Sequence, residues 1–187
     1  MHAMFNLNMN VWHNVLDSRV TPEDFVAVIE ISKGSKKKYE FDKETGMLIL
    51  SRVLYTSMQY PSNYGFIPKT ISEDGDALDV LVLCSESLEP MSLVRCFPIG
   101  AVEMIDNGAK DEKIIAVPYN DPHYNSYSDV RKLPKHVTQE ILHFLSVYKD
   151  LETDMVVVGA MESKAKAMKI IKISKSAYAA EFAKNNV

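Results

Sequence analysis

The chain has 187 residues and a formal net charge of −4, with 47% of its residues apolar and 25% charged, the profile of one ordinary globular domain with a real core. The negative balance argues against a nucleic-acid binder, which would present a basic face, but leaves an anionic substrate open, because metal ions reverse the local sign. No apolar run approaches membrane-spanning length, Met1 to Asn10 lacks the basic-then-apolar plan of a secretory signal, and Cys84 and Cys96 each sit in an apolar run as buried thiols of a reducing cytosol rather than as a staple.

Residues 1–23 are polar and Asn-rich, with apolar anchors at Val11, Trp12, Val15 and Leu16, and predict an arm or short helix leading into the domain. Phe25, Ala27, Ile29 and Ile31 then alternate with an opposite set that includes Glu30, the period of a half-buried strand. Residues 38–41 and 47–50 bracket 42–46 as a hairpin with a glycine-containing loop. Tyr60 and Tyr64 flank a proline turn, either as core filler or as paired phenolic donors for a phosphate or carboxylate oxygen. Strands are predicted over 78–84, 93–105 and 113–117, after which Pro118 and Pro122 mark a loop. Val137, Ile141, Leu142, Leu145, Tyr148 and Leu151 recur at helical spacing after Pro134. A strand-like run at 155–158 precedes a Lys- and Ala-rich helix from about 163 to 184. Short strands first and two helices late make an α+β fold, a small barrel with helices packed outside, in a single domain spanning 1–187.

The chemistry concentrates in Asp74-Gly75-Asp76-Ala77-Leu78-Asp79, three carboxylates against the strand formers Val80 to Leu83. Crowded carboxylates repel unless a positive charge sits between them, and a hard divalent cation such as Mg2+ is the usual answer. Asp74 and Asp76 share a parity that Asp79 lacks, so the backbone must bend near Gly75 or Ala77 for all three to converge. The alternative is a solvated acidic turn. A second cluster, Asp106 and Asp111 around Asn107-Gly108-Ala109-Lys110, has Lys113 two residues beyond and on the same side of an extended segment. Alone it reads as a charged hairpin loop, and the basic run 36–38 and Arg52 read as solvated charge. Zinc-type His or Cys spacings, a P-loop, a dinucleotide fingerprint, a nucleophile elbow and the EF-hand pattern are all missing from the sequence.

Taken in order, these residues resemble the family I soluble inorganic pyrophosphatases of the short prokaryotic type. The resemblance rests on the acidic motif and its following strand, Lys38-Tyr39-Glu40, Arg52, Tyr60 to Gly65, Asp106 to Lys113, Asp121-Pro122, Leu133-Pro134 and His143 to Glu152. It implies Mg2+-dependent hydrolysis of inorganic pyrophosphate on an OB-like five-stranded β-barrel, in a cytoplasmic homo-oligomer, by resemblance a hexamer, that binds neither nucleic acid nor membrane. Asp74, Asp79, Asp106 and Asp111 would hold the metal ions, with Glu40 in support. Asp76 would be the general base. Lys38, Arg52, Tyr64, Lys113, Tyr148 and Lys149 would bind phosphate oxygens, with Tyr60 close behind. Two departures stand out: Ala77 replaces a usual proline, loosening the bend beside Asp79, and Ser32 replaces another, leaving Lys37 as the fallback for Lys38.

The charges close the account. Six carboxylates against four cations leave about −2, and pyrophosphate adds roughly −3 to −4, so substrate needs metal to enter. A metal-binding scaffold without activity is the first alternative, disfavoured by the basic and tyrosine groups. An OB-type nucleic-acid binder is the second, disfavoured by the charge.

Overall fold

The computed structural model describes residues 10–152 and 155–182. In chain order the strands are β1 (Phe25–Ile31), β2 (Lys37–Phe41), β3 (Leu48–Val53), β4 (Asn63–Ile67), β5 (Leu78–Val82), β6 (Leu93–Asp106), β7 (Ala109–Lys110), β8 (Lys113–Pro118) and β9 (Val156–Ser163). The α-helices are α1 (Val11–Asn14), α2 (Lys135–Val147) and α3 (Lys164–Phe182). Strands β1, β4, β5, β8 and β6 pair in that order, and β6 pairs back to β1, closing a five-stranded ring. All neighbours are antiparallel except β5 and β8. This is the OB-like barrel with external helices that the resemblance implies.

Closure depends on β6, whose 14 residues serve β1 at one end, β8 in the middle and β9 at the other. Its register to β8 slips between Pro98 and Gly100, a bulge that bends the strand around the ring. A second tight point is Gly65 on β4. A Cβ there would lie 1.8 Å from the Val28 carbonyl oxygen, so no other residue fits against β1.

The half-buried strand expected over β1 is buried on both faces along its whole length. Phe25, Ala27 and Ile29 enter the main core with Leu78, Val80, Ile114 and Ile171. Val28 on the other face packs with Trp12, Phe66 and Tyr178. The extra cover comes from the N-terminal segment and from α3, which local alternation cannot register. Complete burial of each large aliphatic contributes about 1.5–3 kcal/mol, so this double cover anchors the wall on which the site is built.

Residues 10–20 therefore pack into the body, with Val15 and Val20 in the core and Trp12 4% exposed. Segment 63–67, anticipated only as part of a proline turn, is strand β4. Helix α2 buries Ile141, Phe144 and Leu145. Leu151, placed on the same stripe by its spacing, is 67% exposed because the helix ends at Val147. Strand β9 runs five residues past Val158 before α3 begins, and α3 buries Ala167, Ile170, Ile171, Ser174 and Tyr178 at helical spacing. Cys84 and Cys96 are buried and unpaired. Among the described residues, no helix is long and apolar enough to cross a membrane.

Candidate active site

The loop from β4 to β5 carries the first acidic cluster. Thr70 fastens its base, donating to the Ile67 carbonyl at 2.5 Å and accepting from the Leu78 N–H at 2.9 Å. The bend falls at Gly75, with φ +85°, in the left-handed region that glycine adopts without strain. Gly75 N–H donates to Ser72 O at 3.0 Å, Ser72 N–H to Asp76 O at 2.7 Å, and Asp76 N–H to Asp74 Oδ1 at 2.9 Å. The turn demanded by parity thus brings Asp74, Asp76 and Asp79 to one cavity.

Parallel pairing of β5 with β8 sets Asp79 opposite Lys113. Lys113 Nζ lies 2.5 Å from both Asp79 Oδ2 and Asp111 Oδ1, and the Tyr64 hydroxyl donates to Asp79 Oδ2 at 2.5 Å. Asn107 and Gly108, both at positive φ, turn β6 into β7 and leave Asp106 at the strand end. There Lys149, just past α2, donates to Asp106 Oδ2 at 2.6 Å. Both lysines are buried, at 3% and 7% exposure.

Burial shapes the titration of this group. It pushes Asp74 and Asp111 above the usual carboxylate range, with neighbouring carboxylates adding to the shift and Lys113 opposing it. Desolvation works against the Lys113 charge, but Asp79 and Asp111 overcome it and hold the ammonium. Tyr64 and Tyr148 are driven upward, chiefly by burial, and stay phenolic donors.

Strands β2 and β3 form the opposite wall. Lys38 Nζ meets Glu40 Oε1 at 2.7 Å, and this contact holds Glu40 below its ordinary range although burial alone would raise it. Lys38 faces the cavity, whereas Lys37 stacks over Tyr39 at 5.9 Å and lines a separate groove. The Tyr60 ring sits behind Tyr64 at 5.4 Å and against Phe144 at 4.8 Å.

Arg52 departs from the expected arrangement. It sits opposite Lys38 in the β2–β3 register but is not part of the cavity lining. Its Nε donates to Glu152 Oε1 at 2.9 Å, while its buried NH2 nitrogen, 2.8 Å from Oε2, makes an ion pair without hydrogen-bond geometry. The other eleven candidates all line one cavity of about 530 Å³.

Sequence reasoning passed over Glu30 as a site residue. Glu30 lines the cavity and accepts the Phe41 N–H at 2.7 Å. Burial, with Asp79 adding to it, pushes its pKa up to about 8. The signal was a lone carboxyl inside an otherwise apolar strand. Lys43 and Trp12 also line the cavity and were likewise not anticipated there.

Eight carboxyl groups (Glu30, Glu40, Asp42, Asp74, Asp76, Asp79, Asp106, Asp111) face four ammoniums (Lys38, Lys43, Lys113, Lys149) across this space. With Glu30 neutral at pH 7, seven negative charges oppose four positive ones, a net of −3. Asp106 Oδ1 is buried without a hydrogen-bond partner. An unsatisfied hard oxygen amid excess negative charge fits a divalent cation. Among the described residues no three His, Cys, Asp or Glu side chains are yet arranged to hold one. Instead Lys113 lies between Asp79 and Asp111, and Lys149 pairs with Asp106.

The sequence model for inorganic pyrophosphatase matches residues 27–179. Soluble inorganic pyrophosphatase 2 of Chlamydomonas reinhardtii is 46% identical over 167 residues, covering 89% of this chain and 87% of its own. The Zea mays soluble inorganic pyrophosphatase is 46% identical over 168 residues, covering 90% and 78%. Among solved structures, the Helicobacter pylori inorganic pyrophosphatase superposes with a TM-score of 0.84 at 40% identity, covering 89% of this chain and 99% of that one. The Thermus thermophilus inorganic pyrophosphatase does so with a TM-score of 0.85 at 36% identity, covering 90% and 98%. With the family's sequence model spanning most of the chain and relatives of this identity covering nearly all of it, the chain belongs to the inorganic pyrophosphatase family.

Proposed function

We propose that this cavity hydrolyses inorganic pyrophosphate to two phosphates, using Mg2+ held by Asp74, Asp79, Asp106 and Asp111 with Glu40 in support. The observation that carries the reading is the interleaving of carboxylates with buried lysines in one space, Lys113 between Asp79 and Asp111 and Lys149 on Asp106. Metal storage alone would need no ammonium or phenol groups. Bound Mg2+ supplies Lewis-acid activation of water and neutralises the charge of the phosphoanhydride. Asp76 lines the cavity with its side chain 63% exposed, and it takes the proton of the attacking water. Lys38, Lys113 and Lys149 receive phosphate oxygens as point charges, and the Tyr64 and Tyr148 phenols donate to them. Arg52 joins by exchanging Glu152 for a phosphate, a partner its planar fork matches equally well.

We further propose that 1–187 forms one pyrophosphatase domain of a cytoplasmic homo-oligomer, a hexamer by resemblance, with no nucleic-acid or membrane partner. Light scattering of the purified chain checks the assembly. Phosphate release from pyrophosphate, measured with Mg2+ and with chelator, checks the function. Well-folded protein that releases phosphate at the same rate in both, or in neither, contradicts it.

A further inference from the structure

One group of contacts ties the N-terminal segment to the candidate base. Asn10 caps α1 and its Nδ2 donates to the Lys43 carbonyl at 2.9 Å. The Trp12 Nε1–H donates to the Thr70 carbonyl at 2.8 Å, fixing the indole at the root of the acidic loop. From behind, Phe182 of α3 meets the indole edge-on at 5.5 Å. On its cavity side the Lys43 ammonium lies 5.1 Å from the ring centroid. That same ammonium donates to Gly75 O at 3.1 Å and forms an ion pair with Asp76 Oδ1.

We propose that Lys43, seated on Trp12, is a positioning residue that aims the Asp76 carboxylate; this rests on the reading of Asp76 as general base. Asp76 needs such a hold. Its backbone is fastened by Ser72 and Asp74, but its side chain is largely exposed and projects from a loop with Ala77 in place of a rigid proline. An exposed Asp otherwise samples three staggered χ1 wells, and the Lys43 contact selects among them. Lys43 cannot do this alone, because a lysine has four flexible torsions of its own. The Trp12 face, attractive to an ammonium and itself immobilised, supplies the missing anchor. The hairpin tip, the N-terminal segment and the acidic loop are thereby joined through one side chain.

Trp12 is the sole tryptophan of the chain, so its emission reports on the contact without turnover. Lys43→Met is expected to lower kcat about three- to tenfold, with KM for pyrophosphate unchanged within twofold and the unfolding temperature preserved. Lys43→Arg is expected to restore most of kcat. In protein free of metal and substrate, Lys43→Met is expected to change Trp12 emission, because it removes the ammonium from the indole face. A rise in KM with kcat intact would make Lys43 a substrate ligand and overturn the proposal. Emission identical to wild type in Lys43→Met would overturn it as well. Wild-type protein without pyrophosphatase activity would refute the function instead, while the emission comparison would still judge the contact.

Discussion

Glu30→Gln tests the electrostatics of the cavity wall without touching a proposed ligand. Glu30 is 7% exposed, and burial lifts its pKa from 4.5 to about 8. A folded-state pKa above the unfolded value means that the native protein holds a proton the unfolded chain releases. Its stabilising contribution is therefore complete below about pH 4.5 and declines as pH rises toward 8. The decline is about 1.4 kcal/mol per pH unit across that window. Glutamine keeps the carbonyl that accepts the Phe41 N–H but has no proton to lose. The variant should therefore gain on the wild type by roughly 2–3 kcal/mol between pH 5 and pH 7, a relative rise of roughly 5–10 °C in Tm for a chain of this size. Denaturant or thermal unfolding of both proteins in chelator, at the two pH values, measures the difference. An equal gap at pH 5 and pH 7 would refute the assignment of a buried, protonated Glu30.

Other substitutions separate roles within the site. Asp76→Asn should lower kcat by about 10²–10⁴-fold while calorimetry still records Mg2+ binding; retained turnover would remove Asp76 as the base. Lys113→Met leaves Asp79 and Asp111 facing one another without their shared cation, and should cost about 3 kcal/mol in metal-free unfolding, with part of the loss recovered on adding Mg2+. Arg52→Lys should raise KM for pyrophosphate several-fold with kcat little changed, since an ammonium cannot reproduce a bidentate fork; an unaltered KM would leave Arg52 as a partner of Glu152 alone. Gly65→Ala drives a methyl into the Val28 carbonyl and should destabilise by about 3 kcal/mol or more, read as a lowered Tm or loss of soluble protein.

The acidic loop was legible in the sequence because its logic is local. Parity required a bend, and Gly75 supplies it. Lys113 beside Asp111 followed from strand spacing in the same way. What sequence could not show depends on distant chain. Strand β1 alternates as if one face were wet, yet α3, some 140 residues downstream, covers that face together with Trp12. The Arg52 fork is taken by Glu152, a pairing 100 residues apart that no spacing rule contains. Tyr60 to Phe66 carries a proline and two large rings, which hid the strand that Gly65 allows to press on β1. Lys43 looks like an ordinary hairpin charge in the sequence, and its position between Trp12 and Asp76 emerges only when residues 10–15 and α3 pack onto the barrel.

On the proposed reading, carboxylates and lysines share this cavity in order to cleave pyrophosphate with divalent cations. Protein stripped with chelator, given pyrophosphate and then titrated with Mg2+ while phosphate is followed, tests it most directly. No cleavage is expected in the stripped state and, as Mg2+ is restored, two phosphates should appear for each pyrophosphate consumed. Cleavage by the stripped protein at the full rate, or none from folded protein at any Mg2+ concentration, would contradict it.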